Sequence, residues 1–345
     1  MTVVNADRPV AAAAELSYER TVHRRDVHRW ALSEVFLTDV REGADGAFAA
    51  AAQLPTSHVY YGDHTGPADA VDSVLLMECC RQAATYLAHH ELGVARDSAF
   101  MVSEWSLDLT AGASPDTAPD AGPAGARHPG RLSIGTTVAE RRARSGVVRS
   151  ARFLMRLHLD GRFLGTADIS AKYIPAEEAA IVRSYRRKTV PPLSTSLAAT
   201  PAGTPVPAAS VGRRTLENVA LYDAGDDAGA VSARVAVPSS HATHFDHPQD
   251  HYTAMTLMEA ARQLALLALD GAPGGPARVA GYRARFLQFA ELDSPVVART
   301  VPAPVATTST AGVPGSHAST LPVVFRQDGS VVAEIAVTVA DRAGA

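Results

Sequence analysis

Cysteine is nearly absent from this 345-residue chain: only Cys79 and Cys80 occur, side by side within a helical pattern. Adjacent helical positions point about 100° apart, so a structural disulfide between them is not expected. With no further cysteine there is no thiolate zinc cluster, and the reading is two small residues packing a helix. Net positive charge is also missing. A formal charge of −4 argues against a nucleic-acid binder that relies on bulk charge. No stretch approaches the ~20 apolar residues that a membrane-spanning helix needs. The opening "MTVVNADRPVAAAAEL" sets Asp7 and Arg8 before a very short apolar run, which is not a secretory signal. A cytoplasmic protein is expected, with no nucleic-acid or membrane partner.

The remaining composition is that of an ordinary globular protein, 46% apolar and 20% charged, and the length suits roughly two domains. "TVPPLSTSLAATPAGTPVPAAS" (Thr189 to Ser210) is rich in Pro, Ala, Ser and Thr without hydrophobic period and reads as an extended linker. A second low-complexity piece, about residues 110–130, reads as a long surface loop. The expected division is a first domain over 18–185, a linker over 186–212 and a second domain over 213–342.

Each half shows the same order of elements. Two strand-like runs, "SEVFLTDVRE" and "GAFAAAAQL", precede a helix from about Ala70 to Leu92, and four alternating or β-branched runs follow. In the second half "ENVALYD" and "AVSARVAV" precede a helix from about Thr253 to Asp270, again followed by four such runs. Both helices are apolar on most faces, through Val74, Leu75, Met77, Tyr86 and Leu87 in one and Met255, Leu257, Met258, Leu264 and Leu267 in the other. Such a helix is buried, and a curved antiparallel sheet wrapped around it is the simplest cover. That describes an α+β hotdog domain; twice over, it is a double hotdog.

Duplication is also visible residue by residue. "PTSHVYYGDH" (Pro55 to His64) lies over "PSSHATHFDH" (Pro238 to His247), and "LLMECCRQ" over "TLMEAARQ" after a two-residue length difference. Glu78, Arg81 and Gln82 share one helix face, as do Glu259, Arg262 and Gln263. An ion pair on a solvated face is the plainer explanation. Yet the neighbours are Leu, Met, Cys and Ala, and charges enter such surroundings only when paired or functional. A carboxylate there can serve as general acid or base, and a guanidinium can orient it or bind a carboxylate or phosphate. The loop "HFDHPQDHY" adds His244, His247 and His251 ahead of Glu259. They fit a metal set, solvated loop residues, or a proton carrier beside the glutamate. Pro248 interrupts the spacing, and His58 and His64 lack the rest of the set, which favours the last.

"HFDHPQDHYTAMTLMEAARQ" resembles the second repeat of the A-factor biosynthesis hotdog family, and "SHVYYGD" with "ECCRQA" resembles the first. "FLQFAELDSP" is similar to the strand that follows the second helix. The resemblance runs from about Val22 to Val339. It departs at Thr253-Ala254, where the family has Pro-Gly. More distantly, His244 and Glu259 are similar to the His and helix carboxylate of hotdog 3-hydroxyacyl-thioester dehydratases, with one extra residue between them.

The resemblance implies transfer of a β-ketoacyl group from an acyl carrier protein or CoA thioester to the hydroxyl of dihydroxyacetone phosphate, without cofactor or metal. The ester then condenses to a butenolide phosphate, beginning γ-butyrolactone signal synthesis. Glu259 is then the expected base for that hydroxyl, with His244 as alternative or helper, and Glu78 either a second catalytic site or a relic pairing that supports the first. Arg262, Gln263, Arg81, Gln82, His58, His247, Asp250, His251 and Arg285 are expected to bind substrate, with Arg283 a further phosphate candidate. The assembly is expected to be a pseudo-dimeric monomer or a homodimer. A hotdog thioesterase or dehydratase, and a non-catalytic acyl-thioester or lactone binding protein, are the competing expectations.

Overall fold

Residues 16–43, 46–66, 71–110, 130–227, 229–269, 278–301, 307–309 and 317–340 are described by the computed structural model; the expected surface loop at 110–130 lies almost wholly outside them. The first half holds β1 (Leu37–Glu42), β2 (Ala47–Leu54), α1 (Ser73–His90), β3 (Ala99–Leu109), β4 (Gly130–Arg144), β5 (Val147–Leu159) and β6 (Arg162–Ile174), followed by α2 (Ala176–Arg186). The second holds β7 (Leu221–Asp227), β8 (Ala230–Val235), β9 (His251–Tyr252), α3 (Ala254–Ala268), β10 (Arg278–Phe286), β11 (Ala290–Glu291), β12 (Val296–Thr300), β13 (Thr307–Ser309), β14 (His317–Gln327) and β15 (Ser330–Ala340).

Period-two alternation turns one face of each strand inward. Along β5 the inward side chains are Val148, Ala151, Phe153, Met155, Leu157 and Leu159, all buried. Thirteen strands form one antiparallel sheet, in the order β1-β2-β4-β5-β6-β3-β10-β15-β14-β12-β8-β7, with β13 on β14, and β9 pairs with β11 in a small separate sheet. Outward from the β3–β10 seam the two halves repeat the same order, so each of the six strands of the first half has a counterpart in the second. Two hotdog layers have merged into a single sheet, and α1 and α3 lie against its inner face and touch each other. Cys79 and Cys80 are fully buried on α1 and unpaired. Burial pushes the Cys80 thiol up to about 12, which suits packing rather than reactivity.

Both helices start on capping side chains. Asp72 Oδ1 accepts from the Val74 N–H at 2.8 Å, and Thr253 Oγ1 from the Thr256 N–H at 3.3 Å. Thr253 thus supplies by side chain what a proline at that place could not. Among the described residues no helix is long and apolar enough to cross a membrane.

The segment between the halves is packed down. α2 occupies its start, and single 3-10 turns form at Ser194–Ser196 and Ala208–Val211. Ser194, Val206 and Val211 are buried, and the Val206 N–H donates to Leu221 O. Arg183 on α2 pairs with Glu291 at 2.7 Å and with Asp250 at 3.1 Å, so α2 straps the end of the first half to loops of the second.

At the seam, Gly281 faces Asp108 across the strand pair, and a Cβ there would stand 2.7 Å from the carbonyl oxygen of Leu107. Backbone cannot yield as a side-chain end can. Gly281→Ala is expected to lower unfolding stability by about 1–3 kcal/mol, read from the urea midpoint. Gly225→Ala, where a Cβ meets open space, should stay within about 0.5 kcal/mol of wild type.

Candidate active site

Glu78 and Glu259 are completely buried, so each charge must be met by donors. Arg262 donates Nε to Glu259 Oε2 at 2.8 Å and Nη2 to Oε1 at 2.9 Å, and Gln263 Nε2 donates to Oε1 at 2.6 Å. A second guanidinium arrives from outside the helix: Arg213 donates Nε and Nη2 to Oε1, at 3.1 and 2.8 Å. The first copy is built alike, with Arg81 and Gln82 on the helix and Arg29 Nη2 at 2.7 Å from Glu78 Oε1.

Arg29 and Arg213 were not identifiable from the helix motif. The signal lies in "RWALSEVF" and "RRTLENVA", which share Arg, Leu and Val at equal spacing. Each stretch forms a single 3-10 turn, Leu32–Glu34 or Leu216–Asn218. The glutamine amide holds that turn: Gln82 bonds Glu34 O and the Phe36 N–H, and Gln263 bonds Asn218 O and the Ala220 N–H. The aspartate of the opposite half then caps it. Asp246 accepts from the N–H groups of Trp30 and Ala31, and Asp63 from the Thr215 N–H and hydroxyl.

The two centres differ in what surrounds this common frame. Around Glu259 the Arg213 guanidinium lies 4.1 Å over the Tyr60 ring, and Tyr60 packs edge-on against His241 and His244 with centroids 5.2 Å away. His244 Nδ1 lies 3.1 Å from Thr256 Oγ1. His244 Nε2, Tyr60 Oη, His241 Nδ1 and Asp72 Oδ2 are buried without a hydrogen-bond partner. Asp72 Oδ2 sits 3.7 Å from Nη1 of both Arg213 and Arg262. In the Glu78 centre Tyr61 takes the place of His244 and Glu34 that of Asn218, with Glu34 bound to His58 at 3.2 Å.

The family model for the A-factor biosynthesis hotdog domain matches residues 10–175 and again 194–340. The chain belongs to the A-factor biosynthesis hotdog family. It is 31% identical over 286 residues to a 2-oxo-3-(phosphooxy)propyl 3-oxoalkanoate synthase of Streptomyces virginiae, covering 83% of this chain and 89% of that one. A synthase of the same name from Streptomyces coelicolor is 30% identical over 314 residues, covering 89% and 87%. Among solved structures, a chain described as an oleoyl thioesterase from Lactobacillus plantarum superposes with a TM-score of 0.50 at 12% identity, over 87% of this chain and 99% of that one. That last likeness concerns the fold. Two family domains on one merged sheet make this member a double hotdog.

Within this family member the residues singled out from sequence fall into four places. Glu259, Arg262, Gln263 and His244 share one centre. Glu78, Arg81 and Gln82 form the other, with His58 near it and His247 stacked on Trp30. Asp250 and His251 bond each other beside Arg183, away from both glutamates. Arg285 and Arg283 stand on the outer face of β10, paired with Glu334 and Asp108, and do not reach the helices.

Burial alone would raise the Glu78 carboxyl, but Arg29 and Arg81 outweigh it and hold its pKa at about 2. Glu259 is lowered likewise, by Arg213 and Arg262 against burial. Burial drives His244 well below its ordinary 6.5, His241 to about 4 and His28 to about 3, reinforced by nearby cationic and imidazole groups.

These shifts set the acid limb of stability. Below 6.5 the unfolded chain binds protons at its histidines while the folded chain refuses them down to about 3–4. Below 4.5 the unfolded carboxylates do the same, Glu78 holding out to about 2. Folding is therefore fully supported above pH 6.5 and loses stability continuously from there toward pH 2. Tm should drop between pH 7.5 and 5.5 and again by pH 3.5, and His241→Asn should shrink the first drop. A flat Tm from 7.5 to 5.5 contradicts neutral buried histidines. Arg213→Met, which takes one of two guanidiniums from the buried Glu259 carboxylate, should cost about 3–5 kcal/mol at pH 7.

Proposed function

We propose that this chain esterifies dihydroxyacetone phosphate with the 3-oxoacyl group of a thioester, the ester named in its Streptomyces relatives, and that the chemistry takes place in the Glu259 centre. One observation carries the choice of centre: His244 Nε2 is buried, neutral and unpartnered, and the ring packs edge-on against Tyr60, whose hydroxyl is also unpartnered. The Glu78 centre has Tyr61 where this imidazole stands.

In this reading the acceptor hydroxyl attacks the thioester carbonyl carbon and gives its proton to His244 Nε2. The Thr256 hydroxyl beside Nδ1 fixes the ring. Tyr60, kept protonated because burial and then Glu259 raise its pKa, donates to the oxyanion. As the C–S bond breaks, the imidazolium returns the proton to the departing thiolate.

Glu259 is then a positioning residue rather than the base. Four donor bonds from Arg213, Arg262 and Gln263 converge on its Oε1 and Arg262 Nε holds Oε2, so its charge is spent on fixing two guanidiniums. The acyl donor is carried by an acyl carrier protein or CoA, and no metal or cofactor takes part in the steps described.

The test is mass spectrometry of products from a 3-oxoacyl thioester, with and without dihydroxyacetone phosphate, alongside thiol release. The phosphate ester is expected, with thiol release that depends on the acceptor. His244→Ala should lower kcat about a hundred- to ten-thousandfold with the fold retained. Equal thiol release without the acceptor would make the protein a thioesterase, and tight binding without turnover a binding protein. Full activity in His244→Ala would remove the proposed base.

A further inference from the structure

β4 pairs with β2 only up to Thr137, and its last residues continue past the core with β5 alone. From Ala139 to Val147 every residue is exposed. This projecting ribbon carries Arg141, Arg142 and Arg144, whose guanidinium groups have no hydrogen bond and no acid within ion-pair distance among the described residues; Arg144 acts on Glu178 only at longer range. Lys172, also exposed, lies in register with Arg142 through Ser150, so the two share a face. Between Arg141 and Arg162 the sequence has seven arginines and one acid, in a chain whose net charge is −4.

The duplicated architecture supplies an internal control. The counterpart of β4–β5 is the β12-to-β14 connection, and from Thr300 to Phe325 the sequence has no Arg, Lys, Asp or Glu. The fold therefore does not require a charged hairpin here. Its base also leads toward the candidate site. Arg149 pairs with Glu178 on α2 at 2.8 Å. Arg183, roughly 7.5 Å further along that helix, pairs with Asp250, in the loop between His244 and α3.

We infer that the β4–β5 arginine hairpin is the docking surface for an acidic carrier protein that presents the acyl thioester; this rests on the transferase reading above. Electrostatic complementarity of a local patch steers a small acidic partner and raises the encounter rate. A long polyanion such as nucleic acid would also meet the acidic remainder of the chain, and is disfavoured.

The experiment compares wild type with the Arg141→Glu, Arg142→Glu, Arg144→Glu triple variant, whose substitutions lie outside the packed core. A 3-oxooctanoyl group is supplied on a bacterial acyl carrier protein or on uncharged N-acetylcysteamine. KM for the carrier-borne substrate should rise at least about tenfold, and the wild-type value should worsen with salt. Kinetics with the N-acetylcysteamine thioester should not change. An unchanged carrier KM, or an equal loss with both substrates, overturns the inference. So does arginine-dependent binding of duplex DNA or anionic vesicles with carrier KM unaltered. Binding of labelled holo-carrier is titrated in parallel. Arginine-dependent binding without ester formation from either thioester would sink the transferase reading while supporting the docking surface.

Discussion

A carboxylate withdrawn from water costs several kcal/mol unless its oxygens are met by well-placed donors, and this chain withdraws two. Each is answered from two directions. One arginine and one glutamine come from the helix itself, three and four residues on; a second arginine comes from the segment that leads into the half-domain's first strand. The requirement to neutralise the glutamate thereby fixes where that segment lies. The glutamine, having donated to the carboxylate, uses its remaining polar atoms on the adjacent 3-10 turn. Helix, arm and first strand become one unit around a charge. The turn's exposed N–H groups are then closed by Asp246 or Asp63 from the other half, which extends the constraint across the molecule.

This network explains why much of the architecture was legible in the sequence and some of it was not. The Glu-x-x-Arg-Gln repeats stand out because charge on an apolar helix is anomalous, and the alternating strands follow from period-two patterning. The partner arginines, Arg29 and Arg213, sit in stretches where only Arg, Leu and Val recur among unrelated residues, so nothing local marks them as buried. Arg285 shows the opposite difficulty. Alternation on β10 puts Tyr282 and Ala284 inside and Arg283 and Arg285 outside, but one strand read alone does not reveal which set faces the helices. α2 was absorbed into the expected boundary between domain and linker because its value is in ion pairs to distant loops, which periodicity cannot register.

Divergence between the copies separates structural demands from chemical ones. What the fold needs is kept twice: the glutamate, its two arginines, the glutamine, the capping aspartate and the Ser-His loop. What differs lies around the carboxylate without bonding to it, where Tyr61 answers to His244, Asp72 to Thr253 and Glu34 to Asn218. A duplicated scaffold can tolerate such changes only at positions that do not carry the charge balance. Unspent hydrogen-bonding capacity is found at such positions in both centres, at His244 Nε2 and Tyr60 Oη beside Glu259 and at Tyr61 Oη and Glu34 Oε2 beside Glu78, and each is costly to leave unpaired.

A buried polar atom without a partner is a liability for stability, and three on rings in mutual contact, Tyr60, His241 and His244, are hard to attribute to packing alone. They are accounted for if a ligand completes them, since the desolvation already incurred in folding is recovered when substrate binds. The saturated glutamate and the unsaturated histidine then have complementary tasks. Glu259 holds Arg213 in place through Oε1, and Arg213 holds Tyr60 by its ring and its carbonyl. Tyr60, supplied by the first half, meets His244 from the second. The unpaired groups belong to both halves, so the centre is complete only where the two repeats meet.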